Sequence, residues 1–165
     1  VSLERARLVL AVLAALAVAA AAWTGWSWWS ASDDAELTVA RERDAVVAAA
    51  TEGLAVLNTM DHRRAQADVA RWLEVTTGQL AKDLSGDREL HQRRATDTAT
   101  VATATVNRTA VAELDPGAGT ARLLAVVDVR LSTRGAPPAD TRSRLDVQLN
   151  RTESGWKVSA VQSAG

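Results

Sequence analysis

Asp61, His62, Asp68, Glu74 and His91 have the chemistry to act as acids, bases or ligands, and all lie in one stretch of the chain. His62 next to Asp61 is the arrangement of an imidazole base assisted by a carboxylate. Its surroundings argue against that use. Both histidines sit among arginines, in Asp61-His62-Arg63-Arg64 and His91-Gln92-Arg93-Arg94. Neighbouring cations disfavour a protonated imidazole and a divalent metal alike. Neither histidine has the i, i+4 partner of a helical metal site. Both are expected to be solvated on polar helix faces. Asp61 and Asp68 share a helical face, but amphipathic helices normally carry acids on the wet side, and Asp61, Asp68 and Glu74 are read there. No catalytic, cofactor-binding or metal-binding residue is assigned, and no cofactor is expected.

What is missing narrows the chemistry further. The 165 residues contain no Cys, Tyr or Phe. Thiol catalysis, iron–sulfur clusters and Cys-based zinc sites are excluded. Gly86 and Gly117-Ala118-Gly119 lack the context of a phosphate-binding loop. The Arg63-Arg64 and Arg93-Arg94 pairs read as solvated surface. Asn107-Arg108-Thr109 and Asn150-Arg151-Thr152 are formal glycosylation sequons, read as chance in a bacterial protein. The Ala- and Arg-rich composition, with Lys only at 82 and 157, suggests a bacterial genome of high G+C content. A net charge of -1 shows none of the basic excess of a nucleic-acid-binding surface. Trp72 and Trp156 stand outside the N-terminal Trp cluster. They are expected to anchor the core, or to line a pocket between helices and sheet.

The elements that position these residues follow from periodicity. From Glu36 to Asn58 an apolar helical stripe runs through Leu37, Ala40, Val47, Ala50, Leu54 and Leu57. A second helix starts near Asp61, with Val69, Trp72, Leu73 and Thr76 facing together, and Thr77-Gly78 ends it. A third, more polar helix turns Leu80, Leu84 and Leu90 inward and is interrupted at Ser85-Gly86-Asp87. After Thr96 the period becomes two. Thr98 to Val111 reads as a strand, and Asp115-Pro116-Gly117 as a turn. Odd positions from Ala121 to Leu131 alternate with Arg122, Asp128 and Arg130. Gly135 to Asp140 is a loop. Leu145, Val147 and Leu149 then alternate with Arg144, Asp146 and Gln148. After a turn at Glu153-Ser154-Gly155, Trp156, Val158 and Ala160 form a last strand. Helices followed by about four antiparallel strands imply an α+β domain, the helices packed on one face of the sheet.

The N-terminus carries a different signal. No charged residue interrupts Leu8 to Trp29. As a helix that stretch spans about 33 Å, enough for the hydrocarbon core of a bilayer. Arg5 and Arg7 place the N-terminus in the cytoplasm, and Trp23, Trp26, Trp28 and Trp29 fit an outer interfacial belt. The expected organisation is a tail at 1–7, a transmembrane helix at 8–29, a linker at 30–35 and an extracytoplasmic domain at 36–165. A cleaved signal peptide is the competing reading, but the run exceeds the usual apolar length of about 7–15 residues.

The layout resembles the Mce-associated membrane proteins of actinobacteria, single-pass proteins found with mammalian-cell-entry (Mce) lipid-transport systems. LNTMDHRRAQADVARWLEVTTGQL, Leu57 to Leu80, resembles the family's Asp-containing helix and its Thr-Gly-aromatic step. Asp68, Thr77 and Gly78 fit, and Leu80 replaces the aromatic. SGWKVSAVQ, Ser154 to Gln162, resembles the closing strand opened by a Trp, here Trp156. The resemblance implies an NTF2-like (cystatin-like) domain with a curved sheet. It also implies a non-enzymatic accessory role in lipid import, with the membrane and cell-envelope proteins as partners and a lipid as a candidate ligand. That fold class also contains VirB8-type secretion-channel domains and small pocket isomerases and cyclases, which are the alternative functions.

Overall fold

The computed structural model describes the backbone of residues 2–164, and the side chains of 14, 16–27 and 36–164. Two compact units divide the chain, 1–41 and 42–165. Helix α1 is Ser2–Leu57, so residues 30–35, where a polar linker is expected, have helical backbone. In the first unit Trp23, Trp26 and Leu37 are exposed. Trp28 and Trp29 of the expected belt lie outside the described side chains, as do the 1–7 tail and Leu8–Leu13 of the expected span. Among the described residues no helix is long and apolar enough to cross a membrane.

The second unit holds the rest of the elements. After α1 come a short strand β1 (Met60–Asp61), a 3-10 turn (His62–Arg64), and helices α2 (Ala65–Glu74), α3 (Gly78–Gly86) and α4 (Arg88–Asp97). Strands β2 (Val101–Asp115), β3 (Thr120–Ser132), β4 (Ala139–Thr152) and β5 (Gly155–Ser163) follow. All are antiparallel neighbours in one sheet of order β1-β2-β3-β4-β5. The expected four strands become five because β1 adds to the edge of β2. At two residues β1 is too short to show a period of its own.

Of the expected stripe on α1, Ala50 and Leu54 are fully buried and Val47 and Leu57 are half-buried against the core, while Val46, not on that stripe, is fully buried in place of Val47. Val46, Ala50 and Leu54 are fully buried in a cluster with Ala121, Leu123, Ala125 and Val127 of β3, Val147 and Leu149 of β4, and Val158 of β5. Each buried Leu or Val contributes about 1.5–3 kcal/mol over its exposed state. Leu37 and Ala40, expected on the same stripe, are exposed. Gly53 lets α1 approach β5, since a Cβ there would stand 2.7 Å from Val158 Cγ2. Met60, Ala65, Val69 and Ala95 form a second, smaller cluster, with Trp72 and Ala102 against it. Leu80 and Leu84 are half-buried, but Leu90, expected inward, is exposed.

Bulges re-aim two strands. In β2, Val106 pairs with Val127 but Arg108 with Val126, and Val111 with Leu123 but Glu113 with Arg122. Asn107 and Ala112 are therefore the extra residues, and they bend the strand. In β5, Leu149 pairs with Val158 and Gln148 with Ala160, leaving Ser159 extra. The face shared by Trp156 and Val158 therefore continues at Val161, which joins the core cluster, rather than at Ala160. The loop after α2 protects the outer edge of β5. Val158 N–H donates to Val75 O at 3.0 Å, and Thr77 N–H donates to Val158 O at 2.9 Å. Helix α4 ends with Ala99 at φ 50°, where Ala99 and Thr100 donate back to Thr96 O and Ala95 O. That is a Schellman closure with Ala where Gly is usual.

Candidate functional site

Three places in the second unit gather polar chemistry. The first is the junction of β1, the 3-10 turn and α2, where the sequence-expected acids and histidines lie. Asp68 is buried, with 3% exposure, and does not sit on the wet side. Its Oδ2 accepts the Asp61 N–H at 2.8 Å. Asp61 Oδ1 in turn accepts the Arg63 N–H at 2.9 Å and caps the turn. The signal for burial was present in the sequence, because Ala65, Asp68, Val69 and Trp72 follow the i, i+3, i+4, i+7 spacing of an apolar stripe. Glu74 remains exposed.

The histidines are half-buried rather than solvated. His62 Nδ1 is buried without a hydrogen-bond partner, 3.7 Å from Asp61 Oδ1. That separation is too long for a hydrogen bond. His91 packs edge-on to Trp72, the ring centroids 5.6 Å apart at 76°. Trp72 Nε1 donates to Thr59 O at 3.2 Å. Beside Asp68 is a cavity of about 130 Å³, lined by Ala55, Val56, Thr59 and Arg71. It could hold a few waters, at about 30 Å³ each. Small-molecule sites usually take about 300–1,000 Å³. Among the described residues no three His, Cys, Asp or Glu side chains are placed to hold a metal ion.

The second place surrounds Trp156. Its indole packs against the main core and donates from Nε1 to Glu42 Oε2 at 3.0 Å. Arg151 pairs with the same carboxylate, and its guanidinium lies 5.0 Å from the Trp156 ring centroid. The hydrogen bond from Trp156, followed by the pairing with Arg151, holds the Glu42 carboxyl below its ordinary pKa. Trp72 and Trp156 thus serve two different clusters, where one shared core was the simplest expectation. Nothing near Glu42 in sequence signals this clasp, because its partners lie more than 100 residues away.

The third place, missed by sequence reasoning, is the sheet face turned away from the buried side chains of β3. Opposed residues of adjacent strands share a face, so the register lines up their charges. Arg122 binds Asp146 at 2.7 Å and Glu113 at 3.0 Å. Arg130 binds Asp140 at 2.8 Å, and Arg142 binds Asp128 at 2.7 Å. Hydrogen bonds from Arg142, then from Asn107, lower the Asp128 pKa to about 2. Arg122 and Arg130 likewise lower those of Asp146 and Asp140. Between these pairs lies an open groove of about 750 Å³ lined by Arg108, Ala110, Leu124, Val126, Arg144 and Ala164. The charge alternation was legible, but which arginine meets which acid depends on register and bulges.

Solved structures share this architecture at low sequence identity. An IcmL-like type IV secretion system protein from Legionella pneumophila is 13% identical, with 71% of this chain and 88% of that chain covered at a TM-score of 0.57. CagV, a VirB8 homologue from Helicobacter pylori, is 11% identical, covering 74% and 99% at a TM-score of 0.57. VirB8 of Agrobacterium tumefaciens is 14% identical, covering 75% and 92% at a TM-score of 0.55. These likenesses show the α+β fold of NTF2-like VirB8 domains, as the sequence resemblance implies. No curated protein matches the sequence. A family model does match, over residues 6–164, and the chain belongs to the family described as uncharacterized protein Rv1363c/MT1408-like.

Proposed function

We propose that the chain is a non-enzymatic, membrane-anchored subunit of a cell-envelope complex, acting through protein contacts of its second unit. The observation that carries this reading is the mismatch between buried chemistry and available space. Among the described residues Asp68 is the buried acid, yet one oxygen is bound by the Asp61 amide and its cavity measures only about 130 Å³. The larger concavities are open surface, including the groove of about 750 Å³ on the sheet. Support also comes from the fold, shared with domains named as secretion-system components, and from the uncharged Leu8–Trp29 run behind Arg5 and Arg7. In this reading the N-terminus is cytoplasmic and the second unit lies outside the membrane.

The narrower assignment is to an Mce-type lipid-import system, and it rests on the resemblance of Leu57–Leu80 and Ser154–Gln162. A VirB8-like place in a secretion channel is the alternative. Affinity purification of the full chain in detergent, with mass spectrometry of what accompanies it, tests both. Lipid-transport permeases and Mce proteins are the expected companions. Conjugation or secretion ATPases would move the assignment to a secretion channel. A chain recovered alone, in the soluble fraction and with its first residues removed, would overturn the anchored-subunit reading.

A further inference from the structure

The arginines of the outer sheet face are not all treated alike. Arg122, Arg130 and Arg142 are tied to carboxylates on neighbouring strands. Arg108 and Arg144 are exposed and, among the described residues, have no ion pair. They are also placed symmetrically. Arg108 on β2 is opposite Val126 on β3, and Val126 is opposite Arg144 on β4. Strands lie about 4.8 Å apart, so the two arginines stand about 10 Å apart with Val126 between them. Leu124, two residues along on the same face, is 46% exposed. The result is an apolar strip in which Val126 has a cation on each side, with two acids already engaged at its margin, Asp128 beyond Val126 on β3 and Asp146 opposite Leu124 on β4.

Charge selects the occupant. A wholly apolar partner would cover Val126 and Leu124 while stripping water from two guanidinium groups without replacing it. A second copy docked by a two-fold axis through Val126 would bring four guanidinium groups together. A bilayer surface is a poor match too, because basic membrane-binding clusters usually contain about four to eight cations. Carboxylates flanking an apolar side chain satisfy both features, since arginine and carboxylate form paired, directional hydrogen bonds. Residues i and i+7 of a helix are about 10.5 Å apart along its axis, matching the spacing of the arginines.

We infer that the groove over Val126 docks an amphipathic helix of a partner protein, with an apolar residue between two acidic ones that pair with Arg108 and Arg144. This deepens the protein-contact reading and rests on it. The test is photo-crosslinking in the source cells with the full chain carrying Val126→p-benzoylphenylalanine. The expected adduct maps to one protein segment with the acid–apolar–acid pattern. Arg108→Glu/Arg144→Glu lowers its yield at least tenfold, and exchanging the two partner acids for lysine restores it. Thermal melting checks that the double variant folds, and Arg108→Gln/Arg144→Gln replaces it if it does not. The inference is overturned by no adduct, by an adduct only with a second copy or with lipid, or by yield that ignores both double variants. If envelope proteins still co-purify with the wild-type chain, such a result removes this surface alone. If none do, the protein-contact reading falls as well.

Discussion

The two faces of β3 differ in how much their neighbours constrain them. Inward, Ala121, Leu123, Ala125 and Val127 are closed over by α1 and the adjoining strands. Every atom added or removed there changes packing. Outward, Arg122, Leu124, Val126, Asp128 and Arg130 carry ion pairs open to solvent and an uncovered apolar strip. Exposed pairs contribute little to stability, so the outer face can vary without unfolding the domain. The inner face specifies the fold, and the outer face is where recognition can be built at small energetic cost.

The sharpest way to break this contrast is to place one charge on each face. Val127→Asp should lose about 3–5 kcal/mol, because a carboxylate is buried without a partner. Arg130→Asp loses an exposed ion pair and sets two carboxylates opposite each other, so it should cost less than about 1 kcal/mol. Equal losses in chemical denaturation would mean that the faces of β3 are not distinct. A smaller effect separates packed from open glycines. Gly53→Ala pushes a methyl into Val158 and should cost about 1–3 kcal/mol. Gly86→Ala meets no atom within 4 Å and should gain about 0.5 kcal/mol, as thermal melting of the pair would reveal.

Smaller again is relief of backbone strain away from both faces. Ala99→Gly removes the Cβ from a left-handed residue and should stabilise by up to about 1 kcal/mol in urea titration. A loss would show that the methyl at 99 has a packing role that outweighs its strain.

The mildest perturbation is acid. The folded-state pKa of Asp128 is depressed from 3.8 to about 2, and those of Asp140 and Asp146 are lowered. A depressed pKa makes the unfolded chain bind protons first, so the contribution is complete above the unfolded value and fades as pH falls through the folded one. Stability should therefore decline between about pH 4 and pH 2, and less steeply in Arg142→Gln. An unchanged slope in that variant would show that the outer ladder plays no part in the acid response.

Much of this was readable from residues alone. Alternation named the buried face correctly through Ala121–Val127 and Val147–Leu149, because a half-buried strand repeats every two residues and the hairpins are local. The expected inward series ran on to Leu131, however, which is 41% exposed near the end of β3. The interruption at Ser85-Gly86-Asp87 fell where α3 gives way to α4. The resemblance around Asp68 and Trp156 named the right fold. Asp68 itself was misplaced because acids are ordinarily solvated, although its spacing put it on the apolar stripe.

Composition and periodicity by themselves determined that helices precede an antiparallel sheet, that β3 has a buried and an exposed face, and that no cysteine chemistry is available. These depend on local spacing and residue type. Only the tertiary structure decided that Ser159 is a bulge and hands the inward face to Val161, that Gly53 marks a close approach to Val158, and that Glu42 clasps Arg151 and Trp156. It alone decided that Arg108 and Arg144 flank Val126 while the other outer-face arginines find acids. Each of these is set by contacts between residues far apart in sequence. A shift of one residue in register reassigns them all, and no local pattern records that choice.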